Sequence, residues 1–210
     1  MLLLLAQGAF AAVTYVFYDD YDEEPTGSGV GHPQGYTFYG LGLEDWGVSD
    51  LQAASSPNSG YMALNNATTT WGAGLFKPLG GVSMTNGVLS VSLMRSVGQA
   101  GGVAFKVWDN QGNEFRTADI DLFAVGTTWN TYTQSIYQLT QREAGGSALN
   151  VSNITQVGLI FYKAPAGSDV ITYYFDDFSG TGEAVPEPEV FGLVALGGML
   201  CAMLRRARIH

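Results

Sequence analysis

Short stretches of alternating or β-branched apolar residues recur through most of the chain, and this period-two pattern is typical of strands with one buried face. The stretches that predict strands are Gly35–Gly40, Tyr61–Leu64, Gly87–Met94, Gly102–Trp108, Asp119–Val125, Trp129–Ile136, Gln156–Tyr162 and Val170–Phe178. Turn-forming sequences rich in Asn and Gly separate many of them. Outside the C-terminal tail no long stretch carries a helical stripe, and no internal repeat is present. The pattern therefore predicts an all-β fold, an antiparallel sandwich rather than a propeller.

The amino-acid composition agrees with that fold and limits the classes of partner that the protein can bind. Aromatic residues make up 12% of the chain, charged residues 13%, and there are 28 glycines. Such a mixture suits a β globule with many tight turns and excludes a disordered chain. Residues 13–184 carry 17 acidic and 6 basic residues, and so acidic a surface repels nucleic acid and anionic lipid. Divalent cations and neutral sugars remain as candidate partners.

The N-terminal segment, residues 1–12, reads as a targeting signal. It is apolar and ends near Ala9-Phe10-Ala11, the small-x-small pattern that a signal peptidase cleaves, but it lacks a positive n-region. We interpret it as a truncated signal peptide, and a buried apolar N-terminus is the alternative. Residues 13–184 are then the β-sandwich domain.

The C-terminal segment has three parts in a fixed order: Val185-Pro186-Glu187-Pro188 within residues 185–189, an uncharged stretch at residues 190–204, and a basic tail at residues 205–210. A helix of that stretch would span about 22 Å, against about 30 Å for the hydrocarbon core of a bilayer. It is apolar on all sides, however, and the arginines that flank one end can extend to the membrane surface. We therefore predict a single transmembrane helix, with Arg205, Arg206 and Arg208 on the cytoplasmic side; a buried core helix is the alternative. The only cysteine, Cys201, lies here, so the body cannot form a disulfide.

These three parts together resemble the PEP-CTERM sorting signal. That signal occurs on exported proteins of biofilm-forming Gram-negative bacteria and is thought to be processed by a membrane transpeptidase, exosortase. The resemblance covers only the last 26 residues. It implies export across the inner membrane, temporary tethering by the C-terminal helix, exosortase as a partner, and a final place at the cell surface or outside the cell.

The body resembles the jelly roll of carbohydrate-binding modules and galactose-binding-like domains. The matching segments, in order, are Tyr18–Glu24, Phe105–Thr117, Thr127–Ile136 and Tyr173–Gly180. The resemblance implies that the first and last strands are neighbours. It also implies a structural calcium ion held by an acid near the start and an Asp of the final pair, since calcium binds six to eight oxygen atoms. The candidate ligands are Asp20, Asp22 and Asp176, with Asp19, Glu23 and Asp177 in reserve.

A solvated acidic turn at residues 19–24 is the alternative to that calcium site. Strand alternation further predicts that only one of Asp176 and Asp177 faces any site.

Glycan binding would require exposed aromatic side chains. Trp46 and Trp71 lie in polar, glycine-bearing predicted loops and are the candidate platforms, although a core position is the favoured interpretation for each. Trp108 and Trp129 lie on predicted strands in core-like contexts.

The sequence offers little support for an enzyme. It has no G-x-S-x-G elbow, no pair of metal-ligating histidines and no phosphate-binding loop, and His32 lies alone before a proline. Glu44 with Asp45, or Asp119 with Asp121, would serve a glycosidase only if a cleft set two carboxyl groups at the right separation. The sequence thus favours a non-catalytic protein of the cell surface or of an extracellular polysaccharide matrix, with glycan binding as a candidate role. The alternatives are a secreted glycan-active hydrolase and a purely structural matrix protein.

Overall fold

The computed structural model describes residues 13–28, 35–40, 43–55, 57–65, 73–96, 101–162 and 170–183, and these ranges include fourteen strands and two short 3-10 helices. The strands are β1 Val13–Asp19, β2 Gly27–Ser28, β3 Thr37–Tyr39, β4 Leu43–Ser49, β5 Ser59–Asn65, β6 Ala73–Val82, β7 Val88–Arg95, β8 Gly102–Asp109, β9 Glu114–Arg116, β10 Phe123–Ala124, β11 Asn130–Ser135, β12 Gln141–Ala144, β13 Ile154–Phe161 and β14 Val170–Glu183. The 3-10 helices are Asp119–Asp121 and Ile136–Gln138.

Several sequence predictions lie outside the described residues. These are the signal segment at residues 1–12, the sorting motif with its helix and basic tail at residues 185–210, and Trp71. In the part of the chain that the structure describes, no helix has the length and apolar character needed to cross a membrane.

Two antiparallel sheets of seven strands form the sandwich. Sheet 1 has the order β11-β7-β14-β5-β4-β2, with β1 paired to β14, and sheet 2 has the order β12-β9-β8-β13-β6-β3, with β10 paired to β8. The first and last strands, β1 and β14, are neighbours as the jelly-roll resemblance implied. The all-β sandwich prediction is confirmed, and residues Val13–Glu183 form one compact unit.

Alternation along each strand builds the core. In β7, Leu89, Val91 and Leu93 face inward, and the residues between them face outward. The phenylalanines of the two sheets meet at the centre, where the rings of Phe105 and Phe178 stack with centroids 6.1 Å apart. Because each strand buries one face, every outward side chain on the two sheets belongs to one of two opposite surfaces.

The strand predictions miss several strands, among them β1, β4, β6 and β12. β12 reads as the polar sequence QREA, β4 as LEDWGVS, and β6 contains Pro78, whereas β1 was missed although its sequence, VTYVFYD, is typical of a strand. The predicted strand at residues 119–125 is instead a 3-10 turn followed by the two-residue strand β10. Sheet pairing by neighbouring strands stabilises these segments despite weak local preference.

An irregularity interrupts β14 in the middle. β5 pairs with residues up to Phe175, β1 pairs with residues from Phe178 onward, and the register against β7 shifts between Asp176 and Ser179. Asp177 takes a left-handed conformation with φ of 50°, which costs energy for a residue other than glycine. The bulge changes which side chains face outward at this point.

Candidate functional site

The outer surface of sheet 2 carries a set of aromatic and charged side chains that the strand register brings together. Across the sheet, β3 pairs with β6, β6 with β13, β13 with β8, and β8 with β9. Val103, Phe105 and Val107 of β8 face the core, so Lys106 and Trp108 face outward. We call this outer surface of sheet 2, with its aromatic side chains Tyr39, Phe76, Trp108 and Tyr162, the aromatic face.

Three of these rings follow one another across the strands. Tyr39 and Phe76 have ring centroids 5.9 Å apart, and Phe76 and Trp108 also lie 5.9 Å apart. The ring of Tyr39 packs over Gly74, where an added Cβ would come within 2.5 Å of the phenol group. Tyr39 is 37% exposed, so part of the aromatic surface is open to solvent.

The prediction that Trp108 belongs to the core is corrected by the structure, in which Trp108 is half-buried on the outer side of β8.

A network of ion pairs lies beside the rings. Lys106 Nζ bonds Glu114 at 2.9 Å and Glu143 at 2.6 Å. Arg116 donates from Nε to Glu143 and from Nη1 to Asp119, both at 2.7 Å. Lys106 and Arg116 are each only 8% exposed as residues. The single carboxylate of Glu143 therefore joins both cations.

The cations also rest on aromatic rings. Lys106 Nζ lies 4.7 Å from the ring centroid of Trp108, and the guanidinium of Arg116 lies 5.5 Å from that of Tyr162. These cation–π contacts fix the charged groups next to the aromatic surface rather than in bulk solvent.

The ion pairs of this network shift the pKa values of Lys106 and Glu143. Burial alone would lower the pKa of Lys106, but its hydrogen bonds to Glu114 and Glu143 outweigh burial and raise it. Burial alone would raise the pKa of Glu143, yet the bonds from Lys106 and Arg116 bring it below its usual value. Lys106 and Glu143 are therefore both charged at neutral pH, so Glu143 holds no proton to give to a leaving group.

Such a surface suits an uncharged, polyhydroxylated ligand. A sugar ring places its C–H groups against aromatic faces, while fixed carboxylate and guanidinium groups exchange hydrogen bonds with its hydroxyls. Since each cation already has carboxylate partners, the face offers little net attraction to an anion. The sequence offered one usable signal for it: alternation around the core residues of β8 marks Lys106 and Trp108 as outward. Phe76, Arg116, Glu143 and Tyr162 were missed, because their proximity depends on strand pairing.

The predicted calcium ligand Asp176 is buried, with no exposed surface, and its oxygens are used by hydrogen-bond donors. Oδ2 accepts from the backbone N–H groups of Ala54 and Ser55 at 2.9 Å each, and from Ser55 Oγ at 3.3 Å. Oδ1 accepts from the N–H of Asp177 at 2.8 Å. Burial raises the pKa of Asp176 to about 6, against the opposing effect of these bonds.

The prediction that only one of Asp176 and Asp177 faces a shared site is wrong, because the bulge in β14 breaks the alternation. Ser55 Oγ donates both to Asp176 and to Asp177 Oδ1, the latter at 3.1 Å. Tyr18 also donates its hydroxyl to Asp177 Oδ1 at 2.8 Å.

The other predicted ligands do not complete a calcium site around Asp176. Asp22 Oδ1 accepts from the N–H of Asn58 at 3.3 Å, and Asp20 Oδ1 accepts from the N–H of Asp22 at 3.3 Å. In the described ranges no three His, Cys, Asp or Glu side chains are grouped so that they could hold a metal ion. The residues as placed therefore do not fit calcium, which needs several free carboxylate and carbonyl oxygens.

The reserve ligands have other surroundings. Asp19 is 2% exposed, accepts from the hydroxyl of Tyr36 at 2.6 Å and forms an ion pair with Lys77. Glu23 is exposed. Asp19 thus links β1 of sheet 1 to β6 of sheet 2.

The predicted platform Trp46 lies within β4 and not in a loop. Its register partner in β5 is the core residue Met62, and its ring stacks on Phe38 with centroids 4.5 Å apart and planes at 11°. One face of the indole is thus covered by a ring from the opposite sheet.

The carboxylate pairs considered for a glycosidase are not gathered in one cleft. Asp45 lines a groove on sheet 1 without Glu44, and Asp121 lines a second groove beside β11 without Asp119. Asp119 instead binds Arg116.

Solved structures with the same fold include carbohydrate-binding modules. The CBM22-1 xylan-binding domain from Paenibacillus barcinonensis Xyn10C matches with a TM-score of 0.55 and 19% identity, over 84% of this chain and 100% of that one. The family 11 carbohydrate-binding module of the cellulosomal cellulase Lic26A-Cel5E of Clostridium thermocellum matches with a TM-score of 0.54 and 14% identity, over 82% and 96% of the two chains. An exo-β-agarase matches with a TM-score of 0.56 and 12% identity, over 81% of this chain but only 25% of the agarase.

No protein-family model and no curated protein matches this chain. At identities below a fifth, the structural likeness shows the fold alone. The described body has the jelly-roll β-sandwich fold of carbohydrate-binding modules.

Proposed function

We propose that this protein is a non-catalytic glycan-binding protein whose body binds a neutral polysaccharide across the aromatic face. The observation that carries the proposal is the row Tyr39, Phe76 and Trp108 beside the paired charges of Lys106, Arg116 and Glu143. Rings and fixed hydrogen-bonding groups on a single sheet surface supply both halves of sugar recognition. The fold shared with a xylan-binding domain supports the same function.

The ligand class follows from charge. The chain has a formal net charge of -10, and the cations of the aromatic face are already neutralised by carboxylates. A polyanionic glycan would meet overall repulsion, and the two cations of this face among the described residues, Lys106 and Arg116, are already paired with carboxylates. Neutral xylan, mixed-linked β-glucan and agarose are therefore suitable probes.

The test is affinity electrophoresis of the full chain in gels that contain each polysaccharide. Trp108→Ala should weaken the retention at least tenfold, which corresponds to about 1.4 kcal/mol, because it removes the largest ring of the row. Tyr15→Ala is the matched control, since Tyr15 is 66% exposed on sheet 1, far from these rings. Equal retention of the wild type and Trp108→Ala would contradict the assignment of the aromatic face.

The alternatives give different outcomes in the same samples. Release of reducing ends from a polysaccharide would favour a glycan-active hydrolase. Absence of both retention and hydrolysis with every probe would favour a purely structural matrix protein.

We also propose that the protein is exported from a Gram-negative cell and sorted by exosortase, with residues 190–204 as a temporary membrane anchor. The support is the order of Pro186-Glu187-Pro188, the apolar stretch and the arginines in the sequence. Replacement of the three motif residues by alanine should leave the unprocessed chain in the inner-membrane fraction. Glu23→Ala serves as the control, because Glu23 is exposed and lies outside the sorting motif. Unchanged processing of the motif variant would refute the sorting assignment.

A further inference from the structure

A groove of about 390 Å³ lies on the outer surface of sheet 1, on the side of the sandwich opposite the aromatic face. Its lining includes Tyr61 and Ala63 of β5, Thr172 and Tyr174 of β14, and Asp45 of β4. Tyr61 pairs with Tyr174, and Ala63 pairs with both Thr172 and Asp45. These side chains thus occupy two adjacent rows of one pleat, with tyrosines in one row and small or polar side chains in the other.

The two tyrosines do not belong to the hydrophobic core. Their ring centroids are 6.5 Å apart, with the planes tilted by 46°. Gly47 is the neighbour of Tyr61 in β4, and a Cβ there would lie 3.1 Å from the Tyr61 ring and 2.0 Å from the carbonyl oxygen of Gly27. The glycine lets the ring and the backbone of β2 approach β4 closely. The sequence therefore places an aromatic pair on an outer surface where packing of the core does not require it.

Hydrogen bonds hold the ring of Tyr61 in place, and the hydroxyl of Thr172 remains available to a ligand. Asp45 Oδ2 accepts from the hydroxyl of Tyr61 at 2.9 Å, and Oδ1 accepts from the N–H of Trp46 at 2.8 Å and from Ser28 Oγ at 2.5 Å. Burial and this bond to Asp45 raise the pKa of Tyr61, so its hydroxyl remains protonated. The side-chain hydroxyl of Thr172 has no hydrogen-bond partner among the residues that the structure describes.

Among the described residues that line the groove there is no Lys or Arg side chain, while Asp45 and Asp50 are both present. An anionic ligand would therefore be repelled. A neutral ring with hydroxyl groups fits the combination of a tyrosine pair, a small floor at Ala63, and the carboxylate and hydroxyl acceptors around it.

We propose that this groove is a second binding site for a neutral glycan, centred on Tyr61 and Tyr174. The inference rests on the proposed function for its ligand class, but its residues are separate from the aromatic face. The two sites lie on opposite outer surfaces of a two-sheet sandwich, and no short oligosaccharide can reach both. One protein molecule therefore bridges two polysaccharide chains, which gives it a cross-linking role in a matrix.

The test is isothermal titration of the full chain with xylohexaose, combined with the viscosity of a dilute solution of long xylan. The wild type should bind two hexasaccharides per chain and raise the viscosity. Tyr174→Ala and Trp108→Ala should each bind one hexasaccharide and fail to raise the viscosity, and the double variant should bind none. Tyr174→Phe keeps the ring and should bind as the wild type does. Thermal unfolding of each variant verifies that it is folded.

The outcomes separate the two sites. If Trp108→Ala abolishes all binding and Tyr174→Ala changes nothing, the second site is refuted and the proposed function stands. If Tyr174→Ala abolishes all binding and Trp108→Ala changes nothing, the aromatic face is refuted and the groove remains. A stoichiometry of one in the wild type, or no binding of this neutral probe, also overturns the bridging proposal.

Discussion

Glu143 is the residue whose replacement tests most directly how the aromatic face is held together. Its two carboxylate oxygens bind Lys106 and Arg116, with donor distances of 2.6 and 2.7 Å. In Glu143→Gln the amide keeps nearly the same volume, but one oxygen becomes an NH₂ group that points toward a cation. Both cations have side chains no more than about a tenth exposed, at 10% and 9%, so water replaces the lost partner poorly.

The magnitude follows from the bonds that are lost and those that remain. Each hydrogen bond to a charged group is worth about 1.5–3 kcal/mol, and loss of a partner from a fully buried pair costs about 3–5 kcal/mol. Here Lys106 keeps Glu114 and Arg116 keeps Asp119, so we expect a loss of about 2 kcal/mol. For a domain of this size that lowers the melting temperature by roughly 4–8 °C.

The assay is thermal unfolding followed by circular dichroism at pH 7, with Glu114→Gln as the matched control. Among the described residues Glu114 forms an ion pair with Lys106 only, and its side chain is 30% exposed, so its replacement should cost less than about 1 kcal/mol. Equal shifts for the two variants, or no shift for Glu143→Gln, would refute the view that Glu143 organises the network.

Acid provides an independent check on the same residue. The folded-state pKa of Glu143 is lowered by its two cationic partners despite burial. The stability that its charge contributes is therefore complete above the unfolded-state pKa and is lost as the pH falls through the lower, folded-state pKa. The difference between the wild type and Glu143→Gln should be largest near pH 7 and should shrink below about pH 4.

Two further predictions concern Asp176. Its folded-state pKa is raised from 3.8 to about 6 by burial, so the folded state binds a proton more readily than the unfolded state does. This residue therefore makes the protein more stable as the pH falls from 7 to 5, by about 1–2 kcal/mol after allowance for solvent screening. Urea unfolding at pH 7, 6 and 5 should show this slope in the wild type and a flatter one in Asp176→Asn, and equal slopes would contradict the prediction. Because the Asp176 oxygens already accept from Ala54, Ser55 and Asp177, the melting temperature should be the same in EDTA and in millimolar calcium. A rise of roughly 5–10 °C, the effect of an ion at about 100 times its dissociation constant, would restore the calcium site.

The sequence predicted the fold class, and the jelly-roll resemblance implied that the first and last strands of the sandwich are neighbours. Alternation predicted strands at β5, β7, β8, β11, β13 and β14, and it does so because a half-buried strand must place apolar residues on one side only. The same signal was too weak for β6, which contains Pro78, and for the polar β12. Those strands are recruited by partners that are distant in sequence, β13 for β6 and β9 for β12.

The candidate sites were harder to predict from the sequence than the fold was. Trp46 was a candidate platform because its neighbours are polar, with the core position favoured; the register of β4 against β5 directs it toward Phe38 and the interior. Trp108 was placed in the core because its strand is apolar, although it alternates with core residues and so faces outward. In both cases the type of residue mattered less than its position in the pleat.

Strand alternation is a local property, so the amino-acid sequence alone predicts that the chain forms strands, where most of them lie, and which residues of each strand can share a face. Which faces meet depends on how the strands pair in the folded protein. Tyr39, Phe76 and Trp108 come from three strands far apart in the chain, and they form one row because antiparallel pairing through β13 sets their register. The bulge at Asp177 likewise turns two consecutive carboxylates toward the same loop, against the rule of alternation. Register and bulges arise from the pairing of distant segments over a common core, and no local pattern encodes that pairing.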